Sequence, residues 1–252
     1  MSDNKVAIVT GATSGIGFAV ARRLGQDGFT VILNGIDHEK GQEKAKELID
    51  EGINAEYCGF DVTKEEEVTA NITNIGNKYG RIDVLVNNAG GLGGRSRFED
   101  MTTEFYRFVM ALNLDSVFFA SRAAIPFLKK GDNPTIINYT SNAAWNAGGP
   151  GAGIYGTSKA GVHTITRALA KDLAEYGIRV NAVSPGTIDT PFHSQIKSTK
   201  PEVFASWANN IMLGRLGQPD DVAGVVSFLA SKDAAFITAE TIQIGGGQAL
   251  GI

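Results

Sequence analysis

The sequence predicts an α/β protein: one domain with a doubly wound, seven-stranded parallel sheet flanked by helices on both faces. The first observation is that β-rich apolar runs alternate with amphipathic stretches of 3.6-residue period along the chain. The second is that runs such as VAIVT, VILN and TIIN are apolar at successive positions, which indicates strands covered on both faces. Ligands of such sheets bind at the carboxyl ends of the strands, near the switch in strand order.

Seven apolar runs are predicted strands, and the amphipathic stretches between them are predicted helices. In chain order the strands cover residues Lys5–Thr10, Thr30–Asn34, Ala55–Gly59, Val84–Asn87, Thr135–Tyr139, Arg179–Val183 and Thr241–Ile244. No linker rich in Pro, Ser or charge interrupts the chain, so residues 1–252 are expected to form one domain. Two irregular loops follow strands, at Gly90–Arg97 and Asn142–Gly153, and such loops often carry functional residues.

The composition excludes several classes of protein. The net charge is -4, the pI is near 5.5 and the 23 basic residues are scattered, so nucleic acid is not an expected partner. A single cysteine, Cys58, excludes an intrachain disulfide framework and suits a reducing compartment. Neither a signal peptide nor an apolar run of ~20 residues is evident, so we expect a cytoplasmic protein without a membrane segment. The histidines are far apart and predict no metal site.

A phenol and an ammonium lie four positions apart, at Tyr155 and Lys159, near the start of a long predicted helix. Residues at i and i+4 share a helix face, so the two side chains are expected to be neighbours. A nearby cation lowers the pKa of a phenol from about 10 by roughly 1 to 3 units. By itself the spacing fits either an acid/base centre at Tyr155 or a partly exposed helix surface, and the other motifs of the chain decide between them.

A glycine-rich string, TGATSGIG, runs from Thr10 to Gly17 between the first strand and the first helix. Glycines at 11, 15 and 17 would let backbone amides at a helix N-terminus approach a phosphate and offset its charge. The spacing is G-x-x-x-G-x-G and differs from the commoner G-x-G-x-x-G fingerprint. Its position after the first strand predicts a dinucleotide site.

These motifs together resemble the short-chain dehydrogenase/reductase family, and the resemblance covers essentially the whole chain. TGATSGIG resembles its cofactor loop, NNAG at Asn87–Gly90 its fourth-strand signature, and Tyr155 with Lys159 its catalytic pair. PGTIDT at Pro185–Thr190 resembles the segment that holds the nicotinamide, and Asp61-Val62 the pair at the adenine. The resemblance implies a Rossmann-type domain that transfers hydride between a nicotinamide cofactor and a carbonyl or alcohol.

The resemblance also implies a catalytic set of four residues. Tyr155 would exchange a proton with the substrate oxygen, and Lys159 would lower the pKa of Tyr155 and bind the nicotinamide ribose. Ser141 would hydrogen-bond the reacting oxygen as charge develops there, and Asn113 would kink a helix and position a water that leads to Lys159. Ser141 and Tyr155 are 14 positions apart, about one more than the family pattern, so the loop between them is expected to bulge.

The same resemblance implies the residues that contact the cofactor. They are Gly11, Thr13, Ser14, Gly15, Ile16, Gly17, Ile36, Asp37, Asp61, Val62, Asn88, Ala89, Gly90, Tyr155, Lys159, Pro185, Gly186, Ile188 and Thr190. Family members that use NAD often have an acidic residue where this chain has Gly35, and those that use NADP often have arginine at the position of Ile36. Asp37 would repel a 2'-phosphate and favours NAD(H), whereas His38 and Lys40 leave NADP(H) open.

The substrate is expected to contact the two irregular loops and a lid at about residues 190–213. The candidate substrate residues are Arg95, Arg97, Trp145, Asn146 and His193. Two arginines beside a glycine hinge could clamp a carboxylate, which favours a keto or aldehyde sugar acid, as in a uronate-type reductase. A 3-oxoacyl thioester reductase is the main alternative, because that branch of the family shares the motifs and the length.

Other classes of function fit the sequence less well. A hydrolase would need a G-x-S-x-G elbow after a strand, but Gly156–Ala160 lacks the second glycine and lies in a predicted helix. A non-catalytic dinucleotide sensor is the second alternative, although the intact catalytic set argues against it. The resemblance further implies a homotetramer or dimer, with contacts through the helices that follow Met101 and Tyr155.

Overall fold

The computed structural model describes residues 5–248 and contains the predicted parallel sheet. Its seven strands are β1 Val6–Val9, β2 Thr30–Gly35, β3 Ala55–Gly59, β4 Val84–Asn87, β5 Thr135–Tyr139, β6 Arg179–Pro185 and β7 Thr241–Ile244. They are parallel in the order β3-β2-β1-β4-β5-β6-β7, so the direction of winding reverses between β1 and β4. The doubly wound fold class is confirmed, and each strand boundary lies within two residues of its prediction.

Helices cover both faces of the sheet. They are α1 Gly15–Gln26, α2 His38–Asp50, α3 Glu65–Tyr79, α4 Thr103–Met110, α5 Ser116–Leu128, α6 Ala143–Asn146, α7 Gly153–Leu173, α8 Ser194–Thr199, α9 Pro201–Ser206 and α10 Pro219–Ala230. One apolar cluster joins α1 and α10 to one face, and another joins α3, α5 and α7 to the other. Burial on both faces explains why the central strands are apolar at successive positions.

The helical segment Thr103–Leu128 combines α4, a single π turn at Ala111–Asp115, and α5. By length and composition it is apolar enough to cross a membrane, and 39% of its most apolar window is buried. Its buried side chains pack on α3 and the sheet, as expected for an amphipathic helix that covers the core of an α/β domain. We therefore describe it as a core helix.

Buried amides connect α7, the helix that contains Tyr155 and Lys159, to the middle of the sheet. The Asn138 side chain donates to the Thr166 hydroxyl of α7 at 3.0 Å and accepts from the Asn87 side chain of β4 at 2.9 Å. All three residues are almost fully buried. Because buried polar groups need partners, this network fixes the position of α7 relative to β4 and β5.

Candidate active site

The first turn of the fold is built to approach a phosphate. Gly11 and Gly15 have φ values of +62° and +54°, and α1 begins at Gly15. A Cβ atom at Gly17 would lie 2.3 Å from the Gly11 carbonyl oxygen, so no larger residue fits there. The Asn88 side chain donates to the carbonyl oxygens of Thr10 and Gly11 at 2.9 and 3.0 Å. The helix N-terminus and the glycine cradle fit the pyrophosphate of a dinucleotide.

A cavity of about 700 Å³ extends from this turn across the carboxyl ends of the strands. Its wall brings together most of the predicted cofactor segments: the glycine turn, Asn88, Gly90, Pro185, Gly186, Ile188 and Thr190. It also contains Ser141, Tyr155 and Lys159. Residues at the carboxyl ends of five strands, β1, β4, β5, β6 and β7, therefore share one cavity at the switch in strand order, where ligands bind in this architecture.

Tyr155 and Ser141 lie together at this cavity. Tyr155 is on the first turn of α7, and Ser141 follows β5. Burial raises the pKa of the Tyr155 phenol, and its hydrogen bond with Ser141 lowers the pKa by a smaller amount. The Ser141 Oγ also accepts a hydrogen bond from the Ala143 amide at 3.2 Å, which orients the hydroxyl. The pair can present two hydroxyl groups to one substrate oxygen.

Lys159 is buried and is 3% exposed, one helical turn beyond Tyr155. Its Nζ donates a 2.9 Å hydrogen bond to the Tyr139 carbonyl oxygen and lies 5.8 Å from the centre of the Tyr155 ring. Burial lowers the pKa of Lys159 to about 8. The expected lowering of the Tyr155 pKa by Lys159 is not seen, because the ammonium is held at β5 and burial dominates at the phenol.

Asn113 occupies the π turn and is completely buried. Its Nδ2 donates to the Gly91 and Val109 carbonyl oxygens at 2.8 and 2.9 Å, and its Oδ1 accepts from the Gly91 amide at 2.9 Å. A Cβ atom at Gly90 would lie 2.7 Å from the Asn113 Oδ1 and 3.0 Å from the Lys159 Nζ. Asn113 therefore holds the loop after β4 in place beside Lys159 through direct hydrogen bonds to Gly91.

The loop between Ser141 and Tyr155 is more than a bulge. It forms the short helix α6 and then turns through left-handed backbone at Ala147, Gly148 and Gly151, whose φ values are +61°, +70° and +78°. The extra length thus folds into a wall of the cavity.

Of the two predicted arginines, only Arg95 lines the cavity, and its Nη1 donates to the Pro150 carbonyl oxygen at 3.0 Å. Arg97 is exposed at the start of a 3₁₀ turn outside the cavity wall, so the structure does not bring the two arginines together at the cavity. Trp145 also lies outside the cavity wall, and its ring packs edge-on against His163 at a centroid distance of 4.9 Å. The spacing of residues in a loop could not show which side chains turn inwards.

Asn146 and His193 do line the cavity. His193 belongs to the predicted lid, which forms α8, α9 and two 3₁₀ turns. Its ring contacts Phe192, Phe204 and Trp207 at centroid distances of 5.0, 5.5 and 5.3 Å. Burial lowers the pKa of His193, so the imidazole is neutral at pH 7 and can both donate and accept a hydrogen bond.

The predicted adenosine contacts lie at the ends of β2 and β3, outside the wall of this cavity. Ile36 is 80% exposed, and Val62 is buried. The Asp37 carboxylate caps α2 by accepting from the Lys40 amide at 3.1 Å, and one Asp61 oxygen accepts from the Thr63 amide at 2.9 Å. Two other predicted contacts, Thr13 and Ala89, also lie outside the cavity wall.

The cavity wall also contains residues that were not predicted, among them Leu92, Asn142 and Gln248. Leu92 and Asn142 lie within the two irregular loops. The sequence indicated these loops, but it did not indicate which of their residues line the cavity. Gln248 follows β7, and only the folded sheet brings this segment beside the loop after β6.

The chain is similar to known proteins over almost its whole length. A family model described as enoyl-(acyl carrier protein) reductase matches residues 11–249. The 3-oxoacyl-[acyl-carrier-protein] reductase of Thermotoga maritima is 38% identical over 247 residues, covering 97% of this chain and 98% of that protein. A tryptophan variant of actinorhodin polyketide ketoreductase, solved with NADPH, has a TM-score of 0.92 at 34% identity and 98% coverage of both chains. The aldohexose dehydrogenase of Thermoplasma acidophilum has a TM-score of 0.87 at 35% identity, covering 98% of this chain and 94% of that one.

The doubly wound sheet, its glycine turn and the half-buried tyrosine beside a buried lysine define an oxidoreductase that uses a nicotinamide cofactor and acts on carbonyls or alcohols. The chain belongs to the short-chain dehydrogenase/reductase family, as its motifs indicated.

Proposed function

We propose that the protein interconverts a small, polar carbonyl compound and its alcohol, with a sugar-type keto or aldehyde acid as the substrate class. The observation that carries this proposal is the polar wall around Ser141 and Tyr155. It contains the side chains of Asn142, Asn146, His193 and Arg95. Amides and a neutral imidazole suit hydroxyl groups, and the single arginine suits one carboxylate.

The proposed reaction uses Tyr155 as the acid and base. When bound, the reduced nicotinamide supplies a hydride to the carbonyl carbon, and Tyr155 gives its phenolic proton to the carbonyl oxygen. The Ser141 hydroxyl hydrogen-bonds that oxygen while negative charge develops on it. In alcohol oxidation the proton moves from the hydroxyl group to Tyr155. Lys159 would contact the nicotinamide ribose and supply positive charge beside the phenol.

We propose NAD(H) as the preferred cofactor. Ile36 provides no cation for a 2'-phosphate, and the carboxylate of Asp37 follows it at the N-terminus of α2. An acidic residue at position 35 is excluded for a local reason: a Cβ atom there would lie 2.6 Å from the Thr13 Cγ2. Asp37 is therefore the available carboxylate at the end of β2.

We also propose a homotetramer or dimer in the cytoplasm. Tyr106, Phe108 and Phe118 of the core helix Thr103–Leu128 are 45%, 47% and 42% exposed. A second copy of the chain would cover these apolar side chains, and α7 packs beside them. Sedimentation of the purified protein tests the assembly; a monomer at micromolar concentration would contradict it.

A 3-oxoacyl thioester reductase is the second candidate. It is favoured by the Thermotoga maritima relative, which carries that name, and by Leu92 and Phe192 in the cavity wall. The two candidates differ in the chemistry that the cavity must accept, since a thioester presents a long acyl carrier beyond the reacting ketone.

A substrate panel tests the proposal. Purified protein is mixed with NADH or NADPH and with keto and aldehyde sugar acids, the matching neutral sugars, and 3-oxoacyl thioesters, and absorbance of the reduced cofactor is followed. We expect the highest kcat/KM for an acidic sugar carbonyl with NADH. A preference for acyl thioesters would establish the second candidate, and cofactor binding without any turnover would favour a sensor.

A further inference from the structure

Gln248 connects the loops on which the two reacting partners would be placed. It follows β7 after three glycines, of which Gly246 and Gly247 have φ values of +58° and +87°. The main-chain amide of Gln248 donates to the Gly245 carbonyl oxygen at 2.9 Å and closes this turn. Left-handed backbone at two consecutive positions favours glycine and turns the chain back over the carboxyl end of the sheet. The Gln248 side chain consequently enters the cavity wall.

Both ends of the Gln248 side chain bind Thr187. Its Oε1 accepts from the Thr187 amide at 2.9 Å, and its Nε2 donates to the Thr187 Oγ1 at 2.9 Å. The same Oε1 accepts from the Asn142 Nδ2 at 3.4 Å. Thr187 lies in the PGTIDT segment, and Asn142 follows Ser141 directly. In the part of the chain that the structure describes, no other side chain hydrogen-bonds to both segments.

Glycines keep this link close to the backbone. A Cβ atom at Gly186 would lie 2.7 Å from the Gln248 Oε1 and 3.3 Å from the Asn142 Nδ2. The Asn142 Oδ1 is buried and has no hydrogen-bond partner among the described residues, so its amide is held by the Gln248 contact alone. The Asn142 main-chain amide also donates to the Pro185 carbonyl oxygen at 3.4 Å, so the Gln248 side chain reinforces a backbone link between the two segments.

We propose that Gln248 is a positioning residue for hydride transfer, which sets the distance between the nicotinamide segment and the oxygen-binding pair Ser141 and Tyr155. This inference rests on the proposed function in one respect: it takes Pro185–Thr190 as the segment that holds the nicotinamide. Hydride transfer needs the donor and acceptor carbons near van der Waals contact, and a misplacement of about 1 Å can cost about a hundredfold in rate. A link between the two loops controls that distance without touching either reactant.

The test compares Gln248→Met, which has a similar length but no hydrogen bonds, with Gln248→Glu, which keeps both acceptor contacts. Gln243→Met is the matched control, because Gln243 is exposed on β7 and no hydrogen bond of its side chain occurs in residues 5–248. The full-length protein is assayed with whichever carbonyl the wild type reduces. We expect Gln248→Met to lower kcat by about tenfold to a hundredfold with little change in cofactor Kd. The isotope effect with 4-deuterated reduced cofactor should rise.

A second readout needs no substrate. Because the Thr187 amide is bonded to Gln248, hydrogen exchange in the peptide that contains Thr187 should be faster in Gln248→Met and near the wild-type rate in Gln248→Glu and Gln243→Met. Gln248→Glu should also recover most of kcat. A wild-type kcat in Gln248→Met would overturn the proposal, and so would a Gln248→Glu enzyme as slow as Gln248→Met. An error in the proposed substrate class would change the panel result and leave these comparisons intact.

Discussion

The Lys159 ammonium donates its 2.9 Å hydrogen bond to the Tyr139 carbonyl oxygen and not to Tyr155, the phenol that it is expected to assist. Few charged groups in the fold are as deeply buried, and this one has a backbone carbonyl as its hydrogen-bond acceptor. Burying a cation without a counter-ion costs stability, so the site holds Lys159 at the expense of folding free energy. Its depressed pKa of about 8 measures that cost.

Replacement of Lys159 by methionine should stabilise the fold while removing activity. The unfolded chain keeps the proton up to pH 10.5, whereas the folded protein releases it above about pH 8. Between these values the unfolded state binds more protons, so wild-type stability rises with pH, and below pH 8 the full cost is present. We expect Lys159→Met to raise the free energy of unfolding at pH 7 by as much as about 3 kcal/mol, at 1.36 kcal/mol per pKa unit.

Urea unfolding at pH 7, 8, 9 and 10.5 measures this difference at fixed protein concentration. The advantage of Lys159→Met should shrink steadily from pH 8 upwards. Lys171→Met is the matched control, since Lys171 is exposed on the same helix. A Lys159→Met protein that is less stable than wild type at pH 7, or a difference that is independent of pH, would contradict the assignment.

Tyr155→Phe should abolish turnover and keep the cofactor. The variant removes the oxygen that exchanges the proton and little else, so kcat should fall by about 10² to 10⁴, the range for loss of a general acid. Cofactor affinity, measured by quenching of protein fluorescence, should stay close to wild type. Tyr176→Phe is the control, because Tyr176 is exposed beyond the end of α7. Activity like the wild type in Tyr155→Phe would refute its role.

Gly90 and Gly91 provide a matched pair for the packing of the site. Alanine at position 90 would place its Cβ 2.7 Å from the Asn113 Oδ1 and 3.0 Å from the Lys159 Nζ, whereas at position 91 the nearest atoms are 4.0 Å away. Gly90→Ala should therefore lower kcat/KM by about tenfold or more, because it displaces two site residues. Gly91→Ala should be near wild type. Equal effects of the two substitutions would show that Asn113 and Lys159 tolerate displacement.

Ile36→Arg should change the cofactor preference. A guanidinium at this exposed position could bind a 2'-phosphate, and hydrogen bonds to charged groups are worth about 1.5 to 3 kcal/mol. We expect the ratio of kcat/KM for NADPH to that for NADH to rise by at least about tenfold on this scale. Gln42→Arg adds the same charge further along α2 at another exposed position and should leave the ratio unchanged. A wild type that already prefers NADPH would contradict the choice of NAD(H).

The sequence predicted the fold almost completely, because buried parallel strands must be apolar on both faces and few other segments are. Strands such as Val84–Asn87 and Thr135–Tyr139 follow from composition alone. Helical spacing correctly predicted that Tyr155 and Lys159 are neighbours. It did not predict the raised pKa of Tyr155, because that pKa depends on burial and on the Tyr139 carbonyl oxygen, which holds the Lys159 ammonium. Local patterns do not report such contacts between distant segments.

The substrate wall was predicted least well, for the same physical reason. Arg95 and Arg97 are two positions apart in a glycine-rich loop, and no periodicity decides which of them faces the cavity. Gln248 lies 61 positions from Thr187 and 106 from Asn142, and only the pairing of β6 with β7 brings them together. Side chains from the ends of separate strands form this wall. The sequence therefore indicated which loops are involved, but only the folded structure shows which of their residues line the cavity.

Arg95 and Arg97 should therefore differ in their effect on acidic substrates. The Arg95 guanidinium is held at the cavity by the Pro150 carbonyl oxygen, whereas Arg97 is exposed outside the cavity wall. Arg95→Ala should raise KM for an acidic carbonyl by about two- to fivefold, the size that one exposed ion pair supports, and leave KM for the neutral analogue unchanged. Arg97→Ala should alter neither value, and it serves as the control for loss of a nearby positive charge. The preference for the acidic substrate that Arg95 provides should also weaken at high salt, because salt screens an exposed ion pair between the guanidinium and the carboxylate. Equal changes for the acidic and neutral substrates would show that Arg95 shapes the loop and does not bind a carboxylate.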